Sequence, residues 1–158
     1  AWVVYGMSQN LFHTLKPITG KAGMIHHAGA YIETVLPRYR HSQLQNPVFV
    51  NINTEFFDIV ILGEGKLRYC NSFSWKTSED VSYFLIFVLD QLGLNPENVQ
   101  VLLSGDVSPD SNLFSLLYRY IRHISFIKGA EPVKGGLLLP DEAEFRFVDI
   151  LNPALCAL

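Results

Sequence analysis

The stretch VFVNINTEFFDIVIL, residues 48–62, decides the fold. Its two apolar runs, VFVNI and FFDIVIL, are too short for helices and lie only a few residues apart. They read as consecutive core strands in a tight connection. Downstream, KLRYCNSFSW (66–75) is a third strand, reached through Gly63-Glu64-Gly65, a sequence suited to a hairpin turn. TSEDVSYFLIFVLDQLGL (77–94) is the clearest helix, with Thr77 and Asp80 at capping-box spacing and Gly93 just past its end. It is apolar almost all round, which predicts burial on more than one side.

VQVLLSG (99–105) then reads as a core strand. PDSNLFSLLYRYIR (109–122) reads as a helix capped by Asp110 or Ser111, and HISFI (123–127) as a further strand. A Gly- and Pro-containing segment, KGAEPVKGG (128–136), is a flexible connection or a partner loop. It leads to a last short helix in which Phe147, Ile150 and Leu151 share a face. From residue 46 to 158 the predicted order is β-β-β-α-β-α-β-α, that of the ribonuclease-H-like fold.

Residues 1–45 read differently. WVVY (2–5) is a short strand, Ser8 caps a helix that Pro17 and Gly20 end, AGMIHH (22–27) is a second strand, and AGAYIETVLPRYR is a helix limited by Pro37. HSQLQNP (41–47) is the linker. This β-α-β-α run has the order of the back half of the same fold. YGMSQNLFHTL and LSGDVSPDSNLFSLL share a strand, glycine, loop and NLF pattern, which suggests internal duplication. The expectation is the back half of one lobe (1–45) followed by a whole second lobe (46–158), with a first meander missing upstream.

Composition narrows the function. A formal net charge of −3 and no basic run give no footprint for nucleic acid or a polybasic membrane patch. The longest apolar run is interrupted at Asp90 and Gln91, short of the ~20 residues that cross a bilayer, so a cytoplasmic protein is expected. Cys70 and Cys156, far apart and in apolar company, read as buried free thiols.

Two tandem ribonuclease-H-like lobes form the architecture of actin, sugar kinases and heat-shock chaperones. The segments RYCNSFSWKTSEDVSYFLIFVLDQLGL, VQVLLSGDV, LLYRYIRHISF and FRFVDILNPALC resemble an uncharacterised Bacteroidetes family with an actin-like ATPase fold. Residues 1–41 are more distantly similar to actin-like pilus-assembly proteins. The resemblance implies an α/β fold, an actin-like lobe, and a nucleotide cleft at the ends of the first and fourth strands.

Aligned by strand order, the metal-positioning aspartate of ATP-using relatives falls at Asn51, and their glycine-rich phosphate turn at Asn53-Thr54-Glu55. Asn51 lacks the charge, no glycine is present, and Glu55 repels phosphate. The adenosine-side loop keeps Gly105 beside Asp106. Asn51, Asn53, Thr54, Gly105 and Asp106 are thus the residues of a vestigial nucleotide site, with no catalytic residue and no resident metal or cofactor expected. His13, His26 and His27 would suggest metal, but adjacent histidines on a strand face opposite ways. Asp58, Asp106 and Asp110 lack the first-strand carboxylates that a two-metal nuclease needs, and Asp58 reads as an outward strand residue. Tyr118, Tyr120 and Arg122 form a ridge for helix packing or for docking a protein. The first expectation is a non-catalytic interaction or assembly module with an unidentified protein partner. The alternative is a weak ATP-binding protein or ATPase that needs an upstream region.

Overall fold

The computed structural model describes residues 4–20, 24–127, 146 and 148. Helices α1 (Gln9–Thr19) and α2 (His27–Tyr39) come first. Strands β1 (Val48–Ile52), β2 (Phe56–Gly63) and β3 (Lys66–Ser74) follow, then α3 (Ser78–Gln91), β4 (Gln100–Gly105), α4 (Asn112–Leu117) and β5 (His123–Phe126). The strands form one sheet in the order β3-β2-β1-β4-β5. β1, β2 and β3 run as an antiparallel meander, while β4 lies parallel to β1 and β5 parallel to β4.

Local chemistry explains the meander. Glu64 and Gly65 both take positive φ, 52° and 70°, which is the two-residue hairpin turn whose twist matches the strands it joins. One residue further into the pair the register slips between Ile61 and Leu62, so that Arg68 faces no partner. Freed in this way, the Arg68 guanidinium donates to the Leu92 carbonyl at 2.9 Å and to Asn46 Oδ1 at 3.2 Å. It thereby supplies a partner to the carbonyl end of α3.

Every residue of β1 is buried, because both faces of the sheet are covered. On one face Val48, Val50, Ile52, Phe57, Ile59, Ile61, Val101 and Leu103 meet Val81, Leu85 and Leu89 of α3 and Leu113 and Leu117 of α4. On the other, Phe49, Val60, Leu62 and Leu102 meet Tyr31 and Val35 of α2. The result is three layers, helix–sheet–helix. β4 lies so close to β1 that a Cβ at Gly105 would collide with the Ile52 carbonyl, and Gly105 itself sits at φ +85°.

Several expectations need correction. No strand forms at described residues 4–8 or 24–26; Val4 and Ile25 are exposed there. A strand exists only where a neighbour completes its backbone ladder, and the described contacts between these two segments are made by a side chain: Tyr5 OH donates to the Met24 carbonyl at 2.6 Å and its ring lies 5.3 Å from that of His26. His26 and His27 therefore do not alternate on a strand. His26 caps α2, its Nδ1 accepting the Ala28 N–H at 3.2 Å, and the two rings lie 4.2 Å apart. α4 stops at Leu117 because the next amides tighten to i−3 carbonyls, Arg119 to Leu116 and Tyr120 to Leu117, which turns Ile121 into the core. α3 is less enclosed than its composition implies: Tyr83 and Phe87 remain exposed. The last predicted helix, the loop 128–136 and Cys156 lie outside the described residues.

The α3 cap forms as expected, with Thr77 and Asp80 each bonding the other's backbone N–H. The N–H groups of Lys76 and Thr77, each 2.9 Å from Asp80 Oδ2, hold its carboxyl below the usual carboxylate range. A depressed folded value means that the carboxylate stabilises the fold above the unfolded value of about 3.9 and stops doing so as pH falls through the lower folded value. Acid titration of stability should therefore show the advantage of the native chain over Asp80→Asn full near neutrality and gone below that window. At neutral pH, Gly105→Ala should lower the urea unfolding free energy by about 3 kcal/mol, since it combines a collision with a strained φ.

Candidate functional site

Strands β1 to β4 each place a polar residue at the same level of the sheet. Asn51 of β1 pairs with Asp58 of β2 and with Ser104 of β4, and Asp58 pairs with Ser72 of β3. The four form a polar row across four strands, at the carboxyl ends of the parallel strands β1 and β4, where open α/β sheets hold their ligands. All four face α2. Asp58 therefore points away from Phe57 and Ile59, as its place in the alternation predicts. It is fully buried rather than outward, because α2 covers that face.

α2 meets the row with two side chains four residues apart, hence on one side of the helix. Tyr31 OH lies 2.8 Å from Ser104 Oγ, and Ser104 Oγ lies 3.0 Å from Asn51 Oδ1. The single Ser104 proton goes to the amide oxygen, which can only accept, so Tyr31 donates to Ser104. His27 Nε2 lies 3.0 Å from Asp58 Oδ1, and the Ser72 hydroxyl donates to the same oxygen. The His27 ring rests against Phe56, with centroids 4.8 Å apart. Asp58 Oδ2 has no hydrogen-bond partner among the described residues. Burial pushes the Cys70 thiol up, and the Asp58 carboxylate adds to the shift. The thiol is therefore held protonated at neutral pH and is a poor nucleophile.

The residues singled out from the sequence fall into two groups. Asn51 and Gly105 come together, the added Cβ at Gly105 lying 2.9 Å from Asn51 Oδ1. Asp106 follows on the rim; its N–H is bound to the Ile52 carbonyl at 2.7 Å, and its exposed carboxylate lies 3.4 Å from Arg146. Asn53 and Thr54 belong instead to the β1–β2 turn. There the Asn53 N–H bonds the Phe56 carbonyl at 2.9 Å and the Asn53 carbonyl accepts Trp75 Nε1–H at 2.8 Å, while the Thr54 side is exposed. Tyr31, His27, Asp58, Ser72 and Ser104 were not selected as site residues. The signal for two of the five, Asp58 and Ser104, was a polar residue inside an apolar core strand; Ser72 does not stand out in the polar-rich β3, and the aligned level of all three depends on register.

This geometry fits a nucleotide phosphate poorly. A phosphate cradle needs several free N–H groups converging on one point, which a turn achieves with a left-handed residue. Residues 53–55 contain no positive φ, and the N–H groups of Asn53 and Asp106 are already engaged. Glu55, exposed on the same turn, brings negative charge. A Mg²⁺ shell favours carboxylate oxygen. Asn51 offers an amide oxygen already taken by Ser104, and the nearest carboxylate in the row, Asp58, lies beneath His27. Among the described residues no group of three or more His, Cys, Asp or Glu comes together in a form that could hold a metal ion. No described helix is long and apolar enough to cross a membrane.

Comparison with solved structures identifies the fold as that of the actin-like ATPases. A crystal structure from Bacteroides thetaiotaomicron, described as a protein with actin-like ATPase fold and unknown function, matches with a TM-score of 0.70 and 23% identity. The match covers 78% of this chain and 48% of that one. The AlfA filament bound to AMPPNP matches at a TM-score of 0.49 and 12% identity, over 77% of this chain and 42% of that one. The chain thus spans about half the length of the structures it matches. No curated protein matches it. A family model described as protein of unknown function (DUF3822) matches residues 1–124, and the chain belongs to that family.

Proposed function

We propose that this chain is part of a non-catalytic actin-like protein that works through contacts with another protein, in the cytoplasm, and that its phosphate site is degenerate. The observation that carries this reading is the β1–β2 turn: it closes on its own backbone, lacks glycine and carries Glu55. The polar row beneath it supports the same reading. Asn51, Ser104 and Tyr31 satisfy one another and tie α2 to the sheet, so their polarity is used within the fold. In this reading residues 46–158 form a whole lobe, and residues 1–45 are the back half of a preceding one, with α2 as the helix that bridges the two.

The test is calorimetric titration of Mg·ATP into the natural full-length protein, with a melting scan in parallel. The expected result is no binding heat and no shift of the midpoint. A ligand at about 1,000 times its Kd stabilises a protein by about 4.1 kcal/mol, so a site with micromolar affinity would be plain at millimolar nucleotide. A Mg-dependent shift of that size would overturn the proposal in favour of an ATP-binding protein.

A further inference from the structure

The outward face of α3 is the wrong composition for a solvated helix. Glu79, Tyr83, Phe87 and Asp90 follow one another at helical spacing, and Tyr83 is 65% and Phe87 47% exposed. Tyr83 and Phe87 stack with their rings 15° from parallel. Across from them stands Tyr120, 54% exposed, on the turn after α4. Between the two elements runs an open groove of about 500 Å³, with Ile86 in its wall. The two charged residues among its described lining are both acidic, Glu79 and Asp90. They mark its ends, three turns apart on α3, or about 16 Å. Arg119 and Arg122 neighbour Tyr120 in sequence and do not line the groove.

We infer that this groove receives a cationic amphipathic helix of a partner protein. The inference rests on the proposed role as an interaction module and names its surface and the chemistry of its partner. An aromatic floor matches the apolar side of such a helix. The carboxylates at the two ends match lysine or arginine about three turns apart, and the exposed rings of Tyr83 and Tyr120 offer aromatic surface to a cation. The groove lies between helical elements whose backbone groups are internally bonded, so it offers no ladder to an extended strand; among the described residues the edge strands are β3 and β5. Two carboxylates at its ends repel an anionic membrane surface.

The experiment uses a fluorescent leucine–lysine amphipathic peptide about three turns long and a leucine–glutamate peptide of the same pattern, titrated with the natural full-length protein. The lysine peptide should bind with a Kd on the order of 10 μM, weakening as salt rises, and the glutamate peptide should not bind. Glu79→Lys with Asp90→Lys should weaken binding by about tenfold, and Phe87→Ser should do the same while keeping a cooperative melting transition, because about half of the residue is exposed. Equal binding of both peptides, or binding indifferent to the charge reversal and to salt, would overturn the inference. So would groove-dependent self-association in sedimentation, which would make a second copy the occupant. Nucleotide titration reads a different face of the molecule, so either proposal can fail without the other.

Discussion

Burial of β1 on both faces is the constraint from which the rest of the lobe follows. A strand with one wet face can place its polar residues there; β1 has none, so each of its side chains needs a covering layer. α3 and α4 supply one layer and α2 the other. Asn51, the one polar residue of β1, must then find its partner inside the protein, and it does so through Ser104 on the neighbouring strand. The polar row, the docking of α2 and the absence of a side chain at Gly105 all follow from keeping β1 and β4 close together and covered.

The same constraint separates what the sequence revealed from what it concealed. The Thr77–Asp80 box, the Glu64-Gly65 turn and the Ser8 and Ser111 caps are local: the residues that make them are within a few positions of one another, and their chemistry is readable without the fold. The strand order was legible because short apolar runs with short connections leave few topologies. Asp58 was misjudged because its alternation with Phe57 and Ile59 says only that it faces the other way. Whether that way is water depends on α2, which approaches from far upstream in the chain. Described residues 4–5 and 24–26 belong to segments of strand-like composition, but composition cannot supply a backbone ladder.

Strand order alone made the grouping of three candidate residues legible and left the rest of the polar row unseen. Asn51, Gly105 and Asp106 do gather at the end of β1 and β4, where the resemblance placed a cleft. The turn residues stand apart from that row, Asn53 closed into hairpin bonds and Thr54 exposed. His27 was weighed only as a metal ligand on a strand, and Tyr31 not at all, because their segment was divided between a strand and a helix. Once residue 27 begins α2, the i, i+4 pair becomes visible.

The contact between Tyr31 and Ser104 joins residues 73 apart in sequence, and that between His27 and Asp58 residues 31 apart. The surface on which α2 lands spans β3, β2, β1 and β4, so it does not exist until those strands have paired. Closing so long a loop returns little until the whole platform is in place. In kinetic terms, α2 belongs to the last part of assembly, and its contacts restrain unfolding more than they speed folding. By the loop-closure argument a helix early in the chain docks only after the strands beneath it have paired.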